Sequence, residues 1–187
     1  MATLVGACGG GRAGVGAGVA PAPATERLLA QARVEERARR YDRARALYER
    51  AAQEAPDPGS AARALRELAR ALLFWGEADE GETALARAVA LAPDDVAAWH
   101  DLGIVRGRRG DLAGAERALR RAVALAPRDP RPRVALGAVL VNQRRWRDAL
   151  VEYRALQRLE LPERTRRAVA RAIALIEASQ KGPPPRR

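Results

Sequence analysis

The 187-residue chain has little of what most enzyme chemistry needs. Cys8 is its one cysteine, so it can neither close an internal disulfide nor build a cysteine metal cluster. His100 is its one histidine, which leaves a Ser-His-Asp triad a single candidate base. No histidine and carboxylate stand at metal-ligand spacing, and no P-loop lysine motif is present. Aromatic residues make up only 4% of the chain, and runs of alternating Val, Ile and Thr are missing, so no sheet is expected. No stretch approaches 18 consecutive apolar residues, the length a membrane-spanning helix requires. The expectation is a non-enzymatic chain without cofactor or metal.

What is present is alanine, leucine and arginine. Ala and Leu are strong helix formers. Lys181 is the only lysine, so nearly all of the 34 basic residues are arginine. That bias suits a bacterial, GC-rich genome and weakens any single arginine as evidence of function. The net charge of +11 is lopsided: residues 1–95 carry 13 basic and 14 acidic side chains, residues 96–187 carry 21 and 9. A one-sided positive field attracts acidic partners to the C-terminal half.

The hexapeptide AVALAP occurs at 88–93 and again at 122–127, 34 residues on. Prolines follow apolar helical stretches at Pro56, Pro93 and Pro127, with a shifted equivalent at Pro162. Each ends a helix, because proline lacks the amide donor and clashes with the preceding turn. Polar breaks lie midway, at 39–44, 76–81, 109–115 and 144–149. The small residues Ala51, Ala88 and Ala122, followed by Leu156, are spaced by 37, 34 and 34. Each period therefore reads helix, short turn, helix, proline. A Gly/Ala/Pro-rich leader (1–24) and a Pro-rich tail (181–187) flank the array and are expected to be flexible.

This period resembles the tetratricopeptide signature, W-x2-L-G-x2-Y, then A-x3-F, then P. Residues 96–129 match it best, with Trp99, Leu102, Gly103, Ala115, Leu119, Ala122 and Pro127 in the motif slots, although Arg106 stands where Tyr is usual. Residues 130–163 keep Leu136, Gly137, Ala149 and Tyr153 but replace the Trp with Arg133. Residues 62–95 and 25–58 complete four units, and 164–180 reads as a capping helix with Ala168, Val169, Ala172, Ile173 and Ile176 on one apolar stripe. The resemblance implies an all-α, right-handed superhelical solenoid that scaffolds protein–protein interaction, gripping a peptide or protein segment on the concave face of the first helices.

Arg63, Arg66 and Arg70 follow i, i+3, i+7 spacing and share a helix face. By family analogy that face lines the groove together with Arg33, Arg37, His100, Arg108, Arg131 and Asn142, while Phe74 and Val141 supply apolar pockets. A guanidinium pairs well with carboxylates, so an acidic segment is the expected ligand. The lysine-and-asparagine clamp of chaperone-binding relatives is not reproduced. Nucleic acid is the rival ligand, disfavoured because Trp99 and Tyr153 occupy packing slots instead of stacking positions. GGGRAG (9–14) satisfies G-x-G-x-x-G but has flexible sequence on both sides, and RGD (109–111) falls in a turn every unit has.

LVGAC (4–8) resembles the end of a bacterial lipoprotein signal, with Cys8 as the lipidated residue and a Gly-rich tether after it. Only seven residues precede Cys8, too few for a signal's apolar core. Two alternatives stay open. With Met1 as the true start the chain is expected in the cytoplasm; with a start upstream it is an envelope lipoprotein that assists assembly of a surface machine.

Overall fold

A computed structural model describes residues 23–180. The leader up to residue 22, Cys8 and GGGRAG included, and the tail 181–187 lie outside the described residues. Within them the chain forms α-helices and no strand: α1 (Ala24–Arg37), α2 (Tyr41–Gln53), α3 (Pro58–Trp75), α4 (Ala78–Leu91), α5 (Val96–Arg108), α6 (Leu112–Leu125), α7 (Pro130–Asn142), α8 (Trp146–Leu156) and α9 (Glu163–Gln180).

Short polar side chains fix where α3, α5 and α7 begin. Asp57, Asp95 and Asp129 are the N-caps of α3, α5 and α7, accepting from the amides of Ser60, of Ala97 and Ala98, and of Arg131. Each satisfies donors that the first turn of a helix leaves free. Pro58 and Pro130 open α3 and α7, where the missing amide costs nothing. In the first three periods the aspartate lies just beyond the proline, so a single stretch stops one helix and starts the next.

Four residues of the turns within helix pairs have positive φ: Arg39 (57°), Gly76 (93°), Gly110 (87°) and Arg144 (60°). Their spacings are 37, 34 and 34, the period of the sequence. After α7, the Arg145 amide reaches back to the Leu140 carbonyl at 2.9 Å, and after α3 Glu77 does the same to Leu72 at 2.9 Å. This is the left-handed helix stop that glycine accommodates without strain. At Arg39 and Arg144 a side chain bears the cost that Gly76 and Gly110 avoid.

The helices pack pairwise, α1 on α2, α3 on α4, α5 on α6 and α7 on α8, and each pair stacks on the next. The odd-numbered helices also touch one another directly, α1 on α3, α3 on α5 and α5 on α7. Among the described residues the even-numbered helices make no comparable contact. The odd helices are therefore the tighter inner layer, and their outward side is the concave face of a helical repeat solenoid.

Missing side chains set the closeness of each pair. A Cβ on Gly103 would lie 2.5 Å from Leu119 Cγ, and one on Gly137 2.5 Å from Tyr153 Cε1. Alanines fill the other crossings: Ala32, Ala44, Ala51, Ala62, Ala88, Ala115, Ala122 and Ala149 have no exposed surface. The departures from the repeat pattern are met by charge. Arg133, in the slot of Trp99, donates to Glu152 of α8 at 2.7 Å with both side chains largely buried. Arg106, in the usual Tyr slot, donates to Glu82 of α4 at 3.0 Å. Trp99 is only half-buried, and its Nε1 donates to the Pro93 carbonyl at 3.0 Å, tying α5 to the loop before it.

Helix α9 covers α8 with Val169, Ile173 and Ile176, all buried, and Ala172 half-buried. Ala168 is exposed, unlike the expectation: it lies at the edge of the α9 stripe, outside the contact that Val169, Ile173 and Ile176 make.

Gly103→Ala is expected to cost about 1–3 kcal/mol by overpacking against Leu119. Gly107→Ala, where a Cβ meets nothing closer than 3.6 Å, should gain about 0.5–1 kcal/mol; urea unfolding of the two variants checks the contrast. Arg144→Gly, which relieves the left-handed side chain, should stabilise by roughly 0.5–1 kcal/mol in the same measurement.

Candidate peptide-binding groove

Two adjacent hollows run along the concave face, each of about 600 Å³. The first lies over α1 and α3 and is lined mainly by charge, with Arg33, Glu36, Arg37 and Tyr41 on one side and Glu67, Arg70 and Phe74 on the other. The second lies over α3 and α5. Leu73, Ile104 and Val105 give it an apolar floor, and Arg63, Arg66, Asp101 and Arg108 surround it. Glu67, Arg70 and Phe74 belong to both, so α3 forms the ridge between them.

The structure thus brings together seven of the expected groove residues: Arg33, Arg37, Arg63, Arg66, Arg70, Phe74 and Arg108. His100, Arg131, Val141 and Asn142 stand outside the two hollows on α5 and α7. His100 Nδ1 is 3.0 Å from Asp101 Oδ1. Arg131 folds back onto its own helix cap, with Nη2 donating to Asp129 Oδ2 at 2.7 Å. That bond, joined by the Arg131 amide, holds the Asp129 carboxyl below its ordinary range.

Most groove arginines already have carboxylate partners, a feature the charge count concealed. Arg63 of α3 donates to Glu26 of α1 at 3.1 Å. Arg33 of α1 pairs with Glu67 of α3 at 3.2 Å. Arg70 lies 3.4 Å from Glu36 and 3.3 Å from Glu67. Arg66 spans to Asp95 at 3.4 Å and Asp101 at 3.6 Å, tying α3 to α5. Glu36 also accepts from the buried Tyr48 hydroxyl at 2.8 Å, and burial together with that carboxylate pushes the Tyr48 phenol up to about 12. The sequence carried a trace of this ladder, since Glu67 and Asp101 are one period apart and so share a repeat position. Their pairing across neighbouring units required three-dimensional stacking to see.

The positive excess of the C-terminal half lies mostly elsewhere. Arg117, Arg120 and Arg121 on α6, Arg147 and Arg154 on α8, and Arg164, Arg166, Arg167 and Arg171 on α9 are all exposed on the second helices or the cap. RGD is consumed by its turn: Asp111 caps α6 through the Gly114 amide, and Arg109 pairs with Asp79 and Glu82. Among the described residues no cluster of metal-ligating side chains occurs, and no helix is long and apolar enough to cross a membrane.

The model of the Tetratricopeptide repeat family matches residues 37–103. Among solved structures, YrrB, described as a TPR protein with an unusual peptide-binding site, superposes with a TM-score of 0.65 at 19% identity, covering 82% of this chain and 76% of its own. MamA of AMB-1 gives 0.63 at 24% identity, covering 84% and 82%. MamA from Desulfovibrio magneticus RS-1 gives 0.60 at 21% identity, covering 72% and 75%. No curated protein matches the chain. The repeat match and the shared solenoid agree with the alternation of helices, caps and left-handed turns: residues 37–103 are similar to the Tetratricopeptide repeat family, and the described residues fold as an all-α helical repeat solenoid like those of YrrB and MamA.

Proposed function

We propose that the chain is a non-catalytic adaptor that holds a segment of a partner protein, acidic in part, in the concave groove of its first helices. The observation that carries this reading is Phe74, which stands 76% exposed between the two hollows although it is the only phenylalanine of the chain. An aromatic ring left in water at the ridge of a groove supplies apolar area that a bound segment would bury. The surrounding arginines give such a segment charged hydrogen-bond donors at fixed positions.

The ion-pair ladder sets the character of the binding. Each paired arginine must exchange an internal carboxylate for one on the ligand, so affinity gained per arginine is small and specificity comes from the match of positions. The same carboxylates, Glu26, Glu36, Glu67, Asp95 and Asp101, argue against a phosphate backbone in the groove, because they interrupt the basic track such a ligand follows.

Reversing Arg63 and Arg66 would set new carboxylates against Glu26, Asp95 and Asp101 and disturb the stacking itself. Glu67→Gln is the cleaner test, since it releases Arg33 and takes from Arg70 one of its two carboxylate partners, leaving Glu36. Titrated with an amidated nonapeptide of alternating Asp and Ser, the wild type is expected to bind weakly and in a salt-dependent manner, and Glu67→Gln about fivefold more tightly. No binding to either protein, or tighter binding by the wild type, contradicts the proposal.

A further inference from the structure

Arg37, Phe74, Arg108 and Asn142 are separated by 37, 34 and 34 residues. Each stands two residues before the left-handed residue of its turn, namely Arg39, Gly76, Gly110 and Arg144. They therefore occupy one repeat position, at the same end and the same helical phase of α1, α3, α5 and α7. Because these helices form the inner layer, the four make a row across the concave face, and all four are exposed.

This row holds two of the groove's available cations, and Arg39 at the rim of the first hollow is a third. Arg33, Arg63, Arg66, Arg70 and Arg131 all have a carboxylate within ion-pair distance. Arg37 and Arg108 have none among the described residues. One lines the first hollow and the other the second, and Phe74, between them in the row, lines both. On the Arg108 side the floor beneath Phe74 is Leu73, Ile104 and Val105.

Resting on the groove reading above, we infer that the ligand is an extended segment with a bulky apolar residue between two acidic ones, about three residues to either side. The carboxylates would meet Arg37 and Arg108, and the apolar side chain would lie on Phe74 and Ile104. The spacing follows from packing: neighbouring helix axes lie about 8–10 Å apart and an extended chain rises about 3.3 Å per residue, so one unit corresponds to roughly three residues. In the row, Arg37 and Arg108 offer a ligand carboxylate a guanidinium without displacing an internal partner, and Arg39, next to Arg37 at the rim of the first hollow, adds a second such cation at that end, so the acidic positions of the segment are set at these two ends. One unit further along the row, Asn142 offers an amide to the peptide backbone.

A random nonapeptide library selected on the full chain, then sequenced, tests this. The expected binders carry Asp or Glu at two positions about six apart, with Leu, Ile, Met or Phe midway. Arg37→Gln should erase one acidic column, Arg108→Gln the other, and Phe74→Ala the apolar one, each weakening a selected peptide about tenfold. All three positions are exposed, so the variants should keep the wild-type circular dichroism and melting temperature. Binders without this pattern, or binders indifferent to the three substitutions, overturn the inference while leaving the groove reading in place. A library that yields no binder overturns both.

Discussion

The close crossing of the two helices in each pair is the contact on which the rest of this molecule depends. Gly103 lies under Leu119 and Gly137 under the Tyr153 ring at distances that leave no room for a Cβ. Two helices this close bury their apolar stripes against each other and leave the outer faces of the pair for its neighbours. A single pair cannot cover itself, so stacking follows, and stacking in turn brings the first helices side by side. The groove is a consequence of that layer, and so is the ladder of ion pairs that crosses it.

The period, its phase and the small residues at the crossings could be read from the chain because each is a local constraint repeated. Proline cannot continue a helix wherever it falls, and Ala88 and Ala122 sit at equal distances before Pro93 and Pro127. The left-handed turns were legible only at Gly76 and Gly110. At Arg39 and Arg144 the same backbone is imposed on a residue that does not advertise it, and only the packing of the flanking helices enforces it. Asp57, Asp95 and Asp129 escaped notice for a different reason: as single carboxylates in a chain rich in charge, they carry meaning only once the helix starts are fixed.

Seven of the eleven expected groove positions line the two hollows, and the charge distribution among them was not legible. Arginines at i, i+3, i+7 on α3 do share the concave face, and Phe74 stands among them. Whether an arginine is available depends on what the neighbouring unit places opposite it, which is a property of stacking. Glu26 and Glu67 lie 37 and 34 residues from Arg63 and Arg33, which pair with them, too far apart for any helical spacing to connect. The net charge of +11 is equally indirect. Much of it decorates the second helices and α9, away from the face that the fold shapes into hollows.

The central claim is that partners are engaged from the concave side. A photo-crosslinking amino acid placed at residue 74, on the concave ridge, and separately at residue 87, exposed on α4, tests it in the native cell. The account predicts a discrete crosslinked protein from position 74 and none from position 87. The same adduct from both positions, or an adduct from 87 alone, would contradict it.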